Sequence, residues 1–150
     1  MNDDGNYELP LAIDCIYAFN KHLIFDRTSS NVYEQKLGYY SDNGQEIARD
    51  RIYTHISDEN KWMKFKSLGV FFAAGVGNQS GLGRDPQALL SFSNDAGRTF
   101  GPGRPQSIGL VGQYQKVVQW NRLGIARVRT FRVRVTDPVE VTMIGAYMNV

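Results

Sequence analysis

The chain has 150 residues, of which 42% are hydrophobic, 12% aromatic and 21% charged, with a formal net charge of +2. That length suits one domain with a core of its own, so neither disulfides nor metals are needed to hold it. The single cysteine has no internal partner, two histidines do not make a zinc site unaided, and no apolar run approaches the roughly 18 residues of a membrane span.

The opening, Met1–Glu8, is acidic and polar, unlike a signal peptide or a basic transit segment, so the chain reads as a soluble protein of a reducing cytosol. Beyond it, short runs rich in Val, Ile, Tyr and Phe are separated by Gly, Asn, Asp and Pro, which predicts an all-β fold of antiparallel sheets. Leu11–Phe19 and Leu23–Arg27 flank Asn20-Lys21 and read as a tight hairpin. A helix over Ala12–Phe19 is opposed by its β-branched content and by Pro10. Cys15, inside this apolar strand, is expected to be a buried small hydrophobe. Val32–Tyr40 and Glu46–Ile56 flank Asp42-Asn43-Gly44, and an Asn-Gly pair tolerates the positive φ values of a two-residue hairpin turn.

Trp62–Val76 reads as one long strand or two short ones, followed by glycines at 75, 77, 81 and 83 and by Asp85-Pro86. These glycines lack the Gly-Lys-Ser/Thr ending and following helix of a phosphate-cradling loop. Gln87–Phe92 leads to a turn and then a Gly/Pro-rich segment at 101–105. Gln113–Trp120, Arg127–Val135 and Val139–Tyr147 complete a set of roughly ten strands. The whole reads as a single all-β domain, 1–150, divisible into sub-blades at about 9–57 and 61–150. His22 and His55 fall on separate strands without a cysteine or paired-carboxylate context, so neither reads as a ligand or base. No cofactor, metal site or enzyme signature emerges.

Ser93-Asn94-Asp95-Ala96-Gly97-Arg98-Thr99-Phe100 is the most specific local pattern. It resembles the Asp-box of sialidases and other β-propellers, with Ser93, Asp95, Gly97, Thr99 and Phe100 at the expected places. Asp95 is placed to accept backbone N–H groups, Gly97 to adopt a positive φ, and Phe100 to anchor the returning strand by burying its ring between sheets. Ser41-Asp42-Asn43-Gly44 precedes this turn by about 52 residues, close to a propeller blade's period, and favours β-propeller-like blades over a closed barrel.

Charge is unevenly distributed. Residues 1–100 carry 10 basic and 13 acidic side chains, a net of −3, whereas residues 101–150 carry 7 and 2, a net of +5. Arg127, Arg129, Arg132 and Arg134 supply much of that excess, with Arg122 and Lys116 nearby. Strand alternation places Phe131, Val133 and Val135 on one face and Arg132 and Arg134 on the other, with Arg127 and Arg129 opposite them if no bulge intervenes. These arginines are candidates for contacting DNA phosphates without sequence preference, or for pairing with acidic groups of a neighbouring strand or subunit. No base-reading motif accompanies them.

The order of these pieces resembles one family: Glu46–Ile56, Gly83-Arg84-Asp85-Pro86, the 93–100 turn, then Trp120-Asn121-Arg122-Leu123-Gly124-Ile125-Ala126-Arg127, a Phe/Val/Arg strand and Asp137-Pro138-Val139. The chain resembles the C-terminal region of the packaged-DNA stabilization protein (tail accessory or nozzle protein) of short-tailed bacteriophages. The resemblance implies a non-enzymatic virion component, assembled in the host cytoplasm as a six-fold homo-oligomeric ring beneath the portal and adaptor. Such a ring extends the DNA exit channel and helps to retain packaged double-stranded DNA, with no membrane partner. Relatives are several times longer, and this chain corresponds to their final part, so completion of a propeller between molecules is open. Two other readings stand beside this one. The Asp-box pattern points to a glycan-binding or glycan-hydrolysing propeller module, and the arginines to a free-standing DNA-binding β-module.

Overall fold

A computed structural model describes residues 12–73, 75, 77–114 and 116–150. Met1–Glu8, Pro10, Leu11, Ala74, Val76 and Gln115, which fall within expectations above, lie outside the described residues. Among the described residues the structure is all-β, with antiparallel pairing throughout and no helix long and apolar enough to cross a membrane. The chain divides into two compact units, Met1–Tyr39 and Tyr40–Val150.

In the first unit, β1 (Ala12–Ala18), β2 (Lys21–Asp26) and β3 (Val32–Gln35) form a three-stranded meander. The β1–β2 turn is Phe19-Asn20, one residue earlier than the sequence indicates, with φ of 53° and 59° and Ala18 paired to Lys21. Two consecutive positive φ values match the strand twist of a tight hairpin. Asn20 tolerates that conformation, and its Oδ1 accepts the Tyr17 hydroxyl. Cys15 is exposed, not buried. It pairs with Ile24, and among the described residues its unit is a single sheet layer.

The second unit opens with β4 (Ser41–Asp42) and β5 (Gln45–Glu46) about Asn43-Gly44, at φ 47° and 82°. The turn is where the sequence puts it, but its strands are two residues long. The residues beyond them serve other sheets. The remaining strands are β6 (Arg49–Ile52), β7 (Ile56–Ser57), β8 (Met63–Phe72), β9 (Gln87–Ser93), β10 (Arg104–Ser107), β11 (Val117–Ala126), β12 (Val128–Val135) and β13 (Met143–Asn149). One sheet has the order β10-β9-β12-β6, with β7 also pairing β12, and the other has the order β11-β8-β13. Strand β10 emerges from the Gly/Pro-rich segment, and Pro105 is tolerated there because β10 is an edge strand.

These two sheets share one core. Phe65, Leu68 and Val70 of β8 and Val118 and Trp120 of β11 belong to the same buried cluster as Leu90 of β9 and Phe131, Val133 and Val135 of β12. Phe131 meets Phe65 edge-on at 5.7 Å between ring centroids, and Phe92 at 6.3 Å. Two facing layers around a common apolar interior make a β-sandwich. Among the described residues these two sheets of the second unit make this sandwich, not the propeller-like blades expected from the turn spacing. The Asn43-Gly44 turn closes an isolated two-stranded ribbon, whereas the 93–100 turn follows a central strand of a sandwich layer, so the two are not equivalent repeats.

Strand β11 continues through Asn121–Gly124, past the end of the Gln113–Trp120 run read from the sequence. Asn121 pairs with Ser67 but Gly124 with Phe65, so β11 holds an extra residue, and Arg122 and Gly124 take φ values of 56° and 86°. This β-bulge bends the strand just before the chain passes from one sheet to the other at Arg127. Phe131 lies at 0% exposure between the layers. Phe131→Ala should therefore lower stability by about 3–5 kcal/mol, read as a lower urea midpoint with an unchanged slope. A loss below about 1 kcal/mol would contradict a core shared by both sheets.

Candidate functional site

The segment after β9 is folded by two side chains. Ser93 Oγ accepts the N–H groups of Asp95 (3.2 Å) and Gly97 (2.8 Å) and donates to Asp95 Oδ1. The Asp95 carboxylate in turn accepts the Thr99 N–H at 2.9 Å and the Thr99 hydroxyl. Gly97 sits at φ +88°, where a side chain would be strained. These bonds, led by that from Ser93 and then those from Thr99, hold the Asp95 carboxyl well below the usual carboxylate range. Phe100 departs from expectation. It is half-buried, not sandwiched between sheets, and the Arg132 guanidinium carbon lies 4.4 Å above its ring.

Alternation along β12 holds as read from sequence, and it splits the arginines. Arg129 lies on the face of Phe131, Val133 and Val135 and is only 3% exposed. Its Nε donates to Asn94 Oδ1 (2.8 Å), Nη1 to the Leu123 carbonyl and Nη2 to the Ile125 carbonyl (3.3 Å). Its guanidinium carbon lies 4.9 Å from the Phe65 ring centroid and 4.3 Å from that of Phe92. Burial, and then the charge of Arg104, push its pKa down, but an arginine stays protonated. This side chain is turned away from solvent, so it does not share a contact surface with the others.

Arg132 and Arg134 lie on the opposite face. Arg132 Nε donates to Ser91 Oγ at 3.1 Å. Arg134 grips Asp50 bidentately, Nε to Oδ1 and Nη2 to Oδ2, each at 2.8 Å, and this pulls the Asp50 pKa down. Arg127, at the corner between sheets, is exposed and lies 4.8 Å over the Trp62 ring. Arg122 is exposed on the bulge, its carbonyl accepting from Arg104 Nη1 at 3.4 Å. The ladder is thus a buried brace, two anchored outward groups and two exposed ones. His22 and His55 are both exposed.

Sequence reading missed Arg49. Its guanidinium donates to the carbonyls of Asp137 and Val139 and so pins the Asp137-Pro138 turn, while burial lowers its pKa. Asp137 also accepts the Gln87 N–H at 2.7 Å. The available signal was the charged run Arg49-Asp50-Arg51 inside a strand. Pairing Asp50 opposite Arg134 places their two charges on one face.

These features describe an antiparallel β-sandwich whose polar side chains brace turns and the crossing between layers. The chain belongs to the family described as bacteriophage P22 Gp10, beta-sandwich, whose family model matches residues 48–150, more than half its length. The match bears out the resemblance to the C-terminal region of a phage tail accessory protein and makes the chain a bacteriophage structural-protein domain. No curated protein matches the chain.

Two outcomes follow from this geometry. Arg129→Met leaves the buried Leu123 carbonyl, the part-buried Ile125 carbonyl and Asn94 without their donor and should cost roughly 2–4 kcal/mol in chemical unfolding. Arg129→Lys should not restore it, because a point-charge ammonium does not span three acceptors; full rescue by Lys would mean that charge alone suffices. For Asp95, the depressed folded-state pKa means its contribution is fully present above the ordinary carboxylate value near 3.9 and lost as pH falls toward the folded value. The Tm gap between the native chain and Asp95→Ala should hold steady from neutral pH to about 5 and narrow only below about 4. A gap that shrank between pH 7 and 5 would refute the assignment.

Proposed function

We propose that this chain is a virion structural component of the phage tail, at the head–tail connector, where a ring of copies extends the DNA exit channel and helps to retain packaged DNA. Membership of the P22 Gp10 β-sandwich family carries this reading, with a match that spans both layers of the sandwich. The physics agrees with a mechanical part. A two-layered sandwich with braced turns resists deformation, and Arg49, Asp95 and Arg129 are committed to internal contacts. In this reading the 93–100 turn acts as an Asp-box does structurally, sealing the end of β9. The ring of copies, not the single chain, supplies the radial symmetry that the turn spacing suggested, and portal or adaptor proteins are the neighbours.

Arg122, Arg127, Arg132 and Arg134 are among the outward cations of the basic C-terminal third, which also include Arg104. Repeated around a ring, they make a basic collar that meets phosphates without sequence preference and weakens as salt rises. Arg132 and Arg134 are held in place by Phe100, Ser91 and Asp50, so they present ordered charges. Changing both to Ser should shorten the time for which assembled particles hold DNA, with a shallower salt dependence of release. Unchanged retention would assign both arginines to protein–protein contacts.

A further inference from the structure

Apart from arginines already assigned to the collar, the outer face of the β11-β8-β13 sheet has no role in what precedes. Met63 and Ala126 pair and point into the core, so the neighbouring pair, Lys64 and Ile125, lies on the outer face, and just beyond the strand ends Arg127 sits 4.8 Å over the Trp62 ring. Trp62 is 67% exposed. Among the described residues neither Lys64 nor Arg127 has an acidic partner within ion-pair distance. Lys66, also exposed, donates to the Val150 main-chain oxygen at 3.1 Å.

At the other end of the same face, the Tyr147 ring lies across Gly69, where an added Cβ would come within 2.3 Å of it. The residue must be glycine for the ring to lie flat. Phe71 stands 5.5 Å away between centroids, and both rings stay exposed. Between the ends lie neutral donors and acceptors: Gln119 is bonded to Asn121 and Asn149 to Ser67. No acidic side chain occurs on this face among the described residues.

From this arrangement we infer that the outer face of the β11-β8-β13 sheet binds a single-stranded nucleic acid. The face is an open track about 30 Å long, three strands wide, with cations at one end and flat rings at both. A polyanion whose bases are unstacked uses both features, phosphates on Lys64 and Arg127 and base faces on Trp62, Tyr147 and Phe71. A duplex hides its base faces and leaves the rings idle, and an acidic polypeptide offers charge without planar groups. The inference does not rest on DNA retention in particles.

The test uses the full chain and fluorescence anisotropy with a single-stranded oligonucleotide, its duplex and polyglutamate. The single strand should bind tighter than the duplex or polyglutamate. Trp62→Ala, at an exposed site that should not disturb folding, should weaken it about five- to a hundredfold. Lys64→Ser should reduce the salt slope by about 0.7, while Arg84→Ser, an equal charge loss on an exposed loop, leaves binding unchanged. Duplex or polyglutamate binding as tight as the single strand, no binding at all, or a Trp62→Ala variant that binds normally would each overturn the inference. Particles that lose DNA retention on Arg132 and Arg134 substitution, with oligonucleotide binding intact, would separate the two proposals.

Discussion

The second unit depends on how one chain segment serves both layers of the sandwich, and Arg129 is what makes that crossing tenable. Strand β11 belongs to one sheet and β12 to the other, with only Arg127 between them. A strand that bends this sharply turns carbonyls out of its ladder, and buried carbonyls without donors are costly. The bulge at Asn121–Gly124 creates the problem, and Arg129 answers it by donating to Leu123 and Ile125. Its planar fork also reaches Asn94, which ties the crossing to the turn after β9. Phe65 and Phe92 flank the cation, so its charge rests against ring faces in place of water.

Much of this was legible in the sequence, and the failures have physical causes. Strict alternation through Thr130–Val135 gave the core face correctly because period-two patterning is imposed by the backbone itself. The same alternation extends to Arg129, but an arginine on an apolar face reads as surface until the carbonyls it satisfies are visible. Those carbonyls come from a bulge, and a bulge leaves little trace beyond Arg122 and Gly124. The Asn43-Gly44 turn was legible because φ preference is local, whereas the length of its strands was not, because pairing partners are chosen across the chain. Cys15 was misread for a similar reason. An apolar strand implies burial only if a second layer exists. Phe100 was misread because aromatic rings on an outer sheet face can be covered by a neighbouring arginine as well as by a sheet.

The basic excess of residues 101–150 likewise looks different once geometry apportions it. Net charge describes a long-range field, but contact requires groups that are exposed and not already engaged. Arg129 is withdrawn, Arg134 is largely matched by Asp50, and Arg132 is spread over Phe100. The charge that remains at the surface without an acidic partner includes Arg127, which shares its face with Lys64 from the N-terminal, acidic part of the chain. A sequence window that splits the chain at residue 100 separates these two, although antiparallel pairing makes them neighbours.

Anchoring also changes what a charged side chain can do. A free arginine loses side-chain entropy each time it takes hold of a phosphate or a carboxylate. One already ordered by Asp50 or Phe100 has met that cost during folding, so it presents a fixed donor geometry at the expense of competition from its internal partner. The neutral hydroxyl and ring that hold Arg132 compete less with an incoming anion than the Asp50 carboxylate that Arg134 must first loosen. Within one strand, two arginines of identical chemistry are therefore unequal as contacts, and the inequality was set by which residues β6 and the turn after β9 place beside them.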